Sequence, residues 1–105
     1  MPAEGPASFF VSWPGALQDE FAAIEDLAKQ KHLLNELLAD MKAARERLQS
    51  DPLGWGDPQY EYHHLGLLVL HATLRLVHFY YAVDDIRRIV YVQEILAMPG
   101  SGLEE

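Results

Sequence analysis

The chain has 105 residues, no cysteine and a formal net charge of −8 at pH 7. This length suits a single domain with one hydrophobic core, and the absence of cysteine excludes disulfide bonds, thiolate catalysis and cysteine-bound metal clusters. The negative charge argues against strong direct binding of nucleic acids, whose phosphates need clustered Lys and Arg, and it favours a basic partner.

The sequence also predicts the cellular location of the protein and the boundaries of its domain. No apolar run approaches the roughly 20 residues that span a bilayer, and MPAEGPAS at the start lacks the basic and apolar segments of a secretory signal. We therefore expect a cytoplasmic protein without membrane contact. A single domain is expected over residues 8–97, between a flexible leader, residues 1–7, and a flexible tail, residues 98–105.

The first predicted elements are a strand and a pair of helices. SFFVSW, residues 8–13, is short, aromatic and β-prone, and Pro14-Gly15 ends it. Residues 16–49 contain neither proline nor glycine, and their apolar residues keep helical spacing. The spacing is interrupted at residues 29–32, so we predict two antiparallel helices, although the sequence alone leaves one long helix open.

A β-rich half follows a loop that is dense in turn residues, SDPLGWGDP at residues 50–58. The apolar pattern then has a period of two in QYEYHH, GLLVLHA, RLVHFYYAV and RRIVYVQEIL. The first of these segments is either a strand or an extended lead-in to the second. The expected fold is an α+β two-layer sandwich in the order β-α-α-β-β-β, with a helical hairpin packed on an antiparallel sheet.

The segment LRLVHFYYAVDD, residues 74–85, has two different faces. One face is wholly apolar or aromatic and consists of Val77, Phe79, Tyr81 and Val83. We predict that this face lies against the helices. The mixed face carries His78 and Tyr80, and the two closing aspartates suit a tight turn because Asp can bond its own backbone.

Several polar and aromatic residues are predicted to have only structural roles. Trp13 and Trp55 are expected to be packing anchors at a strand end and in a loop. One group on the second helix looks like surface charge pairing, namely Glu36 and Asp40 with Lys42 and Arg45.

The order of these elements and several short segments resemble the RelE/ParE toxin superfamily of bacterial toxin–antitoxin modules. The similar segments are the end of the first strand, WPGAL at 13–17, the loop DPLGWGDPQY at 51–60 and the hairpin FYYAVDDIRRIVYVQEI at 79–95. The hairpin is similar to the superfamily signature at Tyr81, Val83, Asp84, Asp85, Val90 and Val92. The resemblance spans nearly the whole chain and implies a toxin-like component of a type II, plasmid-stabilising module, held by a cognate antitoxin protein.

The chain departs from the ribonucleases of that superfamily at their cationic positions. Those members carry Lys or Arg on the strand after the helices, an arginine before the hairpin tyrosine, and a basic or aromatic group near the C-terminus. Here the corresponding places hold YEYHH at 60–64, either His78 or Arg75, and Ala97-Met98. Because a pentacovalent phosphate is stabilised by positive charge, the resemblance implies the scaffold and protein binding rather than RNA cleavage. Both DNA gyrase and the ribosome stay candidate targets.

The alternative function is an endoribonuclease, with four candidate catalytic residues: His71, His78, Tyr80 and Arg75. Two imidazoles can serve as general base and general acid, and Arg75 is the nearby phosphate clamp. The histidines can equally decorate a half-exposed sheet, or bind a metal with Tyr80 or Glu61. No helical His-x-x-x-His or Glu-x-x-His spacing supports a metal, so we predict neither metal nor cofactor.

Our preferred interpretation is that the mixed face binds a protein partner. A homodimer is left open, and so is a small structural or regulatory domain that has lost toxicity.

Overall fold

The computed structural model describes residues 8–103. Its elements in chain order are β1 (Phe10–Ser12), α1 (Gly15–Gln30), α2 (Leu34–Ser50), α3 (Pro52–Trp55), β2 (Asp57–Tyr62), a 3-10 turn (His63–Leu65), β3 (Leu67–Thr73), β4 (Val77–Asp84) and β5 (Ile89–Ala97). The predicted α+β class is confirmed, with α1 and α2 packed against the sheet. Within residues 8–103, no helix has the length and apolar character needed to cross a membrane.

The chain leaves α1 and turns into α2 at His32, whose backbone is left-handed with φ 60°. The Leu33 amide donates to the Ala28 carbonyl at 2.8 Å, and this hydrogen bond closes α1 in the manner of a Schellman motif. The predicted interruption at residues 29–32 therefore separates two helices, and the two-helix prediction is confirmed.

The sheet has five strands in the order β1-β5-β4-β3-β2. The pairs β2–β3, β3–β4 and β4–β5 are antiparallel, whereas β1 lies parallel to β5. The expected antiparallel sheet is therefore mixed, because β1 joins the free edge of β5 and the apolar pattern of a strand does not encode its direction. QYEYHH supplies the extra strand β2 and then the turn that holds His63 and His64.

The core lies between the helices and the apolar face of β4. Four β4 residues on this face are at most 1% exposed: Val77, Phe79, Tyr81 and Val83. Trp13 meets Phe79 edge-on, with ring centroids 6.2 Å apart, and Trp55 stacks on Tyr81 at 5.8 Å. The predicted register of β4 and the packing role of both tryptophans are confirmed.

Asp40 does not lie in the predicted surface charge cluster. It is only 8% exposed, and its Oδ2 accepts a hydrogen bond from the Leu76 amide at 2.8 Å. Among the described residues, no ion pair joins Asp40 to Lys42 or Arg45. The prediction was wrong because helical spacing does not show that the β3–β4 turn passes beside α2. There the Leu76 amide, which is otherwise free, donates its hydrogen bond to the Asp40 carboxylate.

The segment after β5 packs onto the domain as far as Leu103. The Met98 amide donates to the Leu76 carbonyl at 2.8 Å, and Leu103 is fully buried in the core. Residues 98–103 of the predicted flexible tail therefore contribute to the packed structure. The predicted leader, residues 1–7, and residues 104–105 lie outside the described range.

Candidate functional site

Among residues 8–103 the helices pack on one face of the sheet and leave the other without a covering helix, and we call this second face the open face. Residues paired on neighbouring strands point to the same side of a sheet, so the open face can be read as rows that cross the strands. The central row consists of Asp57 on β2, His71 on β3, Tyr80 on β4 and Glu94 on β5. The next row consists of Tyr60, Val69, Ala82, Tyr91 and Ser12.

Three residues at the middle of the open face form an imidazole cluster: His71, His78 and Tyr80. Nε2 of His71 lies 2.7 Å from Nδ1 of His78, and the two rings meet edge-on with centroids 4.9 Å apart. The Tyr80 ring stacks on His71 at 4.5 Å with an interplanar angle of 16°. The chain turns at residues 74–76, so Thr73 pairs with His78. Two of the candidate catalytic residues, His71 and His78, are therefore brought together on the open face.

The hydrogen bond between the two imidazoles restricts their protonation. One ring must donate and the other must accept, because two N–H groups cannot share this contact. Burial lowers the pKa of His78, the neighbouring His71 lowers it further, and the carboxylate of Glu94 partly opposes both effects. His78 therefore favours its neutral form near neutral pH.

Arg75 does not join the imidazole cluster. It lies exposed in the turn between β3 and β4. The pairing of β3 with β4 has no bulge, so Arg75 stays in the turn and does not take the strand position that His78 occupies. Within residues 8–103, no hydrogen bond, ion pair or ring contact links Arg75 to the three cluster residues. The candidate phosphate clamp and the candidate acid–base groups are therefore separate.

The charged groups on and beside the open face are predominantly acidic or paired. Asp57 and Glu94 occupy the two ends of the central row. The arginine of the β4–β5 turn that approaches this face, Arg87, is bound to Asp84 at 3.1 Å. The backbone amide of Arg87, followed by its side chain, holds the pKa of Asp84 below its usual value. A polyanion would meet little uncompensated positive charge here.

Two further tyrosines extend the aromatic surface to the edge strand β2. The rings of Tyr60 and Tyr62 meet edge-on at 5.2 Å, and their hydroxyls are 3.4 Å apart. The hydrogen bond with Tyr62 is the main cause that raises the pKa of Tyr60, and the charge of Tyr80 contributes. Tyr60 and Tyr62 were not among the site residues predicted from the sequence. The alternation in QYEY, which places both on one face of a strand, is the pattern that could have identified them.

Metal binding finds little support in the arrangement of side chains. Glu61 is a candidate ligand partner of the histidines, but it is paired in register with Leu68, on the helix side of the sheet, and lies 3.6 Å from His63. In the part of the chain that the structure describes, no group of three or more His, Asp or Glu residues could hold a metal ion.

Comparison with protein-family models, curated proteins and solved structures finds no match to this chain. The function is therefore inferred from the site itself.

Proposed function

We propose that the chain is a protein-binding module and that its open face receives the partner. The supporting observation is that, within residues 8–103, no helix covers the open face, which carries exposed aromatic rings around a buried centre. Tyr60 is 51% exposed, whereas Val69 and Ala82 in the same row are fully buried. Exposed tyrosines around a dry centre are typical of binding surfaces.

The nature of the module is proposed from the resemblance to the RelE/ParE superfamily. The confirmed helical pair on the sheet and the β4–β5 hairpin are consistent with that scaffold. The proposed role is the toxin-like component of a type II toxin–antitoxin pair, or a relative that has lost toxicity. The partner on the open face would then be the cognate antitoxin, and DNA gyrase or the ribosome would be the cellular target.

Binding is favoured over RNA cleavage by the geometry of the imidazole cluster. In acid–base cleavage of RNA, the phosphate lies between the general base and the general acid. Here His71 and His78 contact each other directly at 2.7 Å, which leaves no space for a phosphate between those nitrogens. The cations that would stabilise its negative charge are missing from the cluster.

Co-purification tests the binding proposal. The tagged chain is expressed together with the product of the adjoining reading frame, and the complex is quantified. Tyr60→Ala should reduce the amount of partner recovered, because it removes an exposed ring from the open face. Leu38→Ala is the matched control, since Leu38 is 45% exposed on α2, away from that face. Loss of the partner with Leu38→Ala and not with Tyr60→Ala would contradict the proposal.

Induction of the chain alone distinguishes a toxin from a non-toxic relative. Growth arrest that the adjoining gene product relieves supports the toxin, and the absence of arrest supports the relative.

The endoribonuclease is the second candidate, because His71, His78 and Tyr80, three side chains that can carry a proton, lie together on the open face, although the direct His71–His78 contact argues against it. Primer extension on cellular mRNA after induction is the test. Codon-phased cuts that disappear in His78→Ala would establish cleavage and displace the binding proposal. We expect no cuts.

A further inference from the structure

We infer that the open face binds an extended, cationic peptide segment whose basic residues reach Asp57 and Glu94 across the central row. This inference rests on the proposed function, because it specifies the chemistry of the protein partner that the open face receives.

The first support is the placement of acidic groups at both ends of one row. Asp57 and Glu94 stand on β2 and β5, with His71 and Tyr80 between them. Neighbouring strands are about 4.8 Å apart, so three such steps separate the two positions by about 14 Å. An extended peptide advances about 3.3 Å per residue, so residues about four positions apart span this distance. Two lysines or arginines at that spacing can meet both carboxylates.

The second support is the aromatic surface between and beside the acidic positions. A guanidinium or ammonium group is attracted to the face of a tyrosine ring, and the open face offers Tyr60, Tyr62 and Tyr80. The protein already contains such a contact elsewhere, where the Arg88 guanidinium carbon lies 4.0 Å from the centre of the Phe9 ring. Aromatic rings and carboxylates together favour a cationic ligand over a purely apolar one.

The third support is the low positive charge of the face itself. Arg87 is engaged by Asp84, and His78 favours its neutral form near neutral pH. Rows of aromatic side chains on a sheet also bind single-stranded RNA, but those surfaces combine stacking with a cationic groove. The acidic ends of the central row would repel a polyanion and attract a polycation.

Fluorescence anisotropy with defined peptides tests the inference. The probe is a short labelled peptide with two lysines about four residues apart in a Gly/Ser/Thr background. One control peptide carries glutamates in place of the lysines, and another has the lysines adjacent. We expect binding of the first probe, weaker binding of the adjacent-lysine probe, no binding of the acidic probe, and loss of affinity with added salt.

Isosteric variants locate the binding site. Asp57→Asn and Glu94→Gln should each weaken binding of the lysine probe roughly two- to fivefold, as expected for one exposed charge contact. Glu20→Gln is the matched control, because it removes the same charge from the exposed side of α1. Amide NMR shifts upon titration should map to His71, Tyr80 and their neighbours on the sheet. Equal weakening by Glu20→Gln, or shifts confined to the helices, would overturn the inference.

The two proposals fail in distinguishable ways. If the lysine probe does not bind while the adjoining gene product still co-purifies in a Tyr60-dependent manner, the cationic segment is wrong and protein binding stands. If a labelled single-stranded oligonucleotide binds the open face, while neither the lysine probe binds nor the adjoining gene product co-purifies, both proposals are overturned.

Discussion

The hydroxyl of Tyr81 donates a hydrogen bond to the carbonyl oxygen of Pro52 at 2.7 Å, across the boundary between the sheet and the α3 loop. The hydroxyl oxygen of Tyr81 in turn accepts a hydrogen bond from the Gly56 amide at 3.0 Å. A Cβ atom at position 56 would lie 2.7 Å from this oxygen, so the close approach requires glycine. One buried phenol therefore fixes both ends of the loop that leads into β2.

Tyr81→Phe should lower the free energy of unfolding by about 1–3 kcal/mol, because the substitution leaves two backbone groups without their partner. Chemical denaturation measures the change. Tyr91→Phe is the control, since the Tyr91 hydroxyl makes no hydrogen bond within residues 8–103 and its loss should cost less than about 0.5 kcal/mol. Equal effects of the two substitutions would show that the loop is not held by Tyr81.

Alkaline pH should destabilise the fold through the same residue. Burial is the main cause that raises the pKa of Tyr81 from 10.0 to about 12. The unfolded chain therefore releases this proton at lower pH than the folded protein, and stability falls as pH rises from 10.0 towards about 12. Denaturation midpoints measured across this range should show the fall, and the part due to Tyr81 should be absent in Tyr81→Phe.

Phe79→Ala should cost about 3–5 kcal/mol of stability, because it leaves a cavity beneath Trp13 and Trp55. Leu96→Ala, on the open face where Leu96 is 39% exposed, should cost less than about 1 kcal/mol. Urea or guanidinium denaturation gives both values. A loss below about 1 kcal/mol for Phe79→Ala would mean that β4 is shifted by one residue.

Asp40→Ala should destabilise the protein by about 1–3 kcal/mol, since the Leu76 amide would be left without an acceptor. Asp40→Asn retains a side-chain oxygen that can accept this bond and should be milder. Hydrogen exchange at the Leu76 amide gives an independent measurement, with faster exchange expected in Asp40→Ala. Unchanged exchange there would argue that α2 does not hold the β3–β4 turn.

Mild acid should weaken the fold through His78. Its pKa is lowered from 6.5 in the folded protein, so the unfolded chain takes up this proton at higher pH. The contribution to stability is therefore fully present above about pH 6.5 and decreases as pH falls towards the folded-state pKa. Thermal unfolding between neutral and mildly acidic pH measures it, and His78→Gln should show a smaller pH dependence. Asp84, whose pKa is lowered from 3.8, acts in a more acidic range, where its contribution is lost as pH falls.

The sequence predicted those parts of the fold whose cause is local. Alternation along β4 identified Phe79 and Tyr81 as core residues, and the interrupted apolar stripe located the helix boundary near His32. The parallel pairing of β1 with β5 and the contact of Asp40 with the β3–β4 turn depend on residues far apart in the chain. Periodicity carries no information about such neighbours.

The candidate site was predicted only where its residues belong to one local hairpin. His71, His78 and Tyr80 lie on adjacent strands of a hairpin, so their meeting follows from its register. Tyr60 belongs to β2, whose existence as a strand the sequence left open. Glu94 shares a row with Tyr80 only because of an irregularity in β5 opposite Tyr80 and Tyr81. No sequence signal identified that shift.

The pairing of Phe10 with Ile89 also has a consequence for the order of folding. The hairpins that join β2, β3, β4 and β5 close over short stretches of chain, whereas β1 must wait until β5 is in place. Contacts between distant segments form late because their loop-closure entropy is not offset until the rest of the structure exists. We expect the meander to form first, while the apolar sides of α1 and α2 stay uncovered. In the cell, that interval is when the nascent chain would be most vulnerable to aggregation and would benefit most from a chaperone.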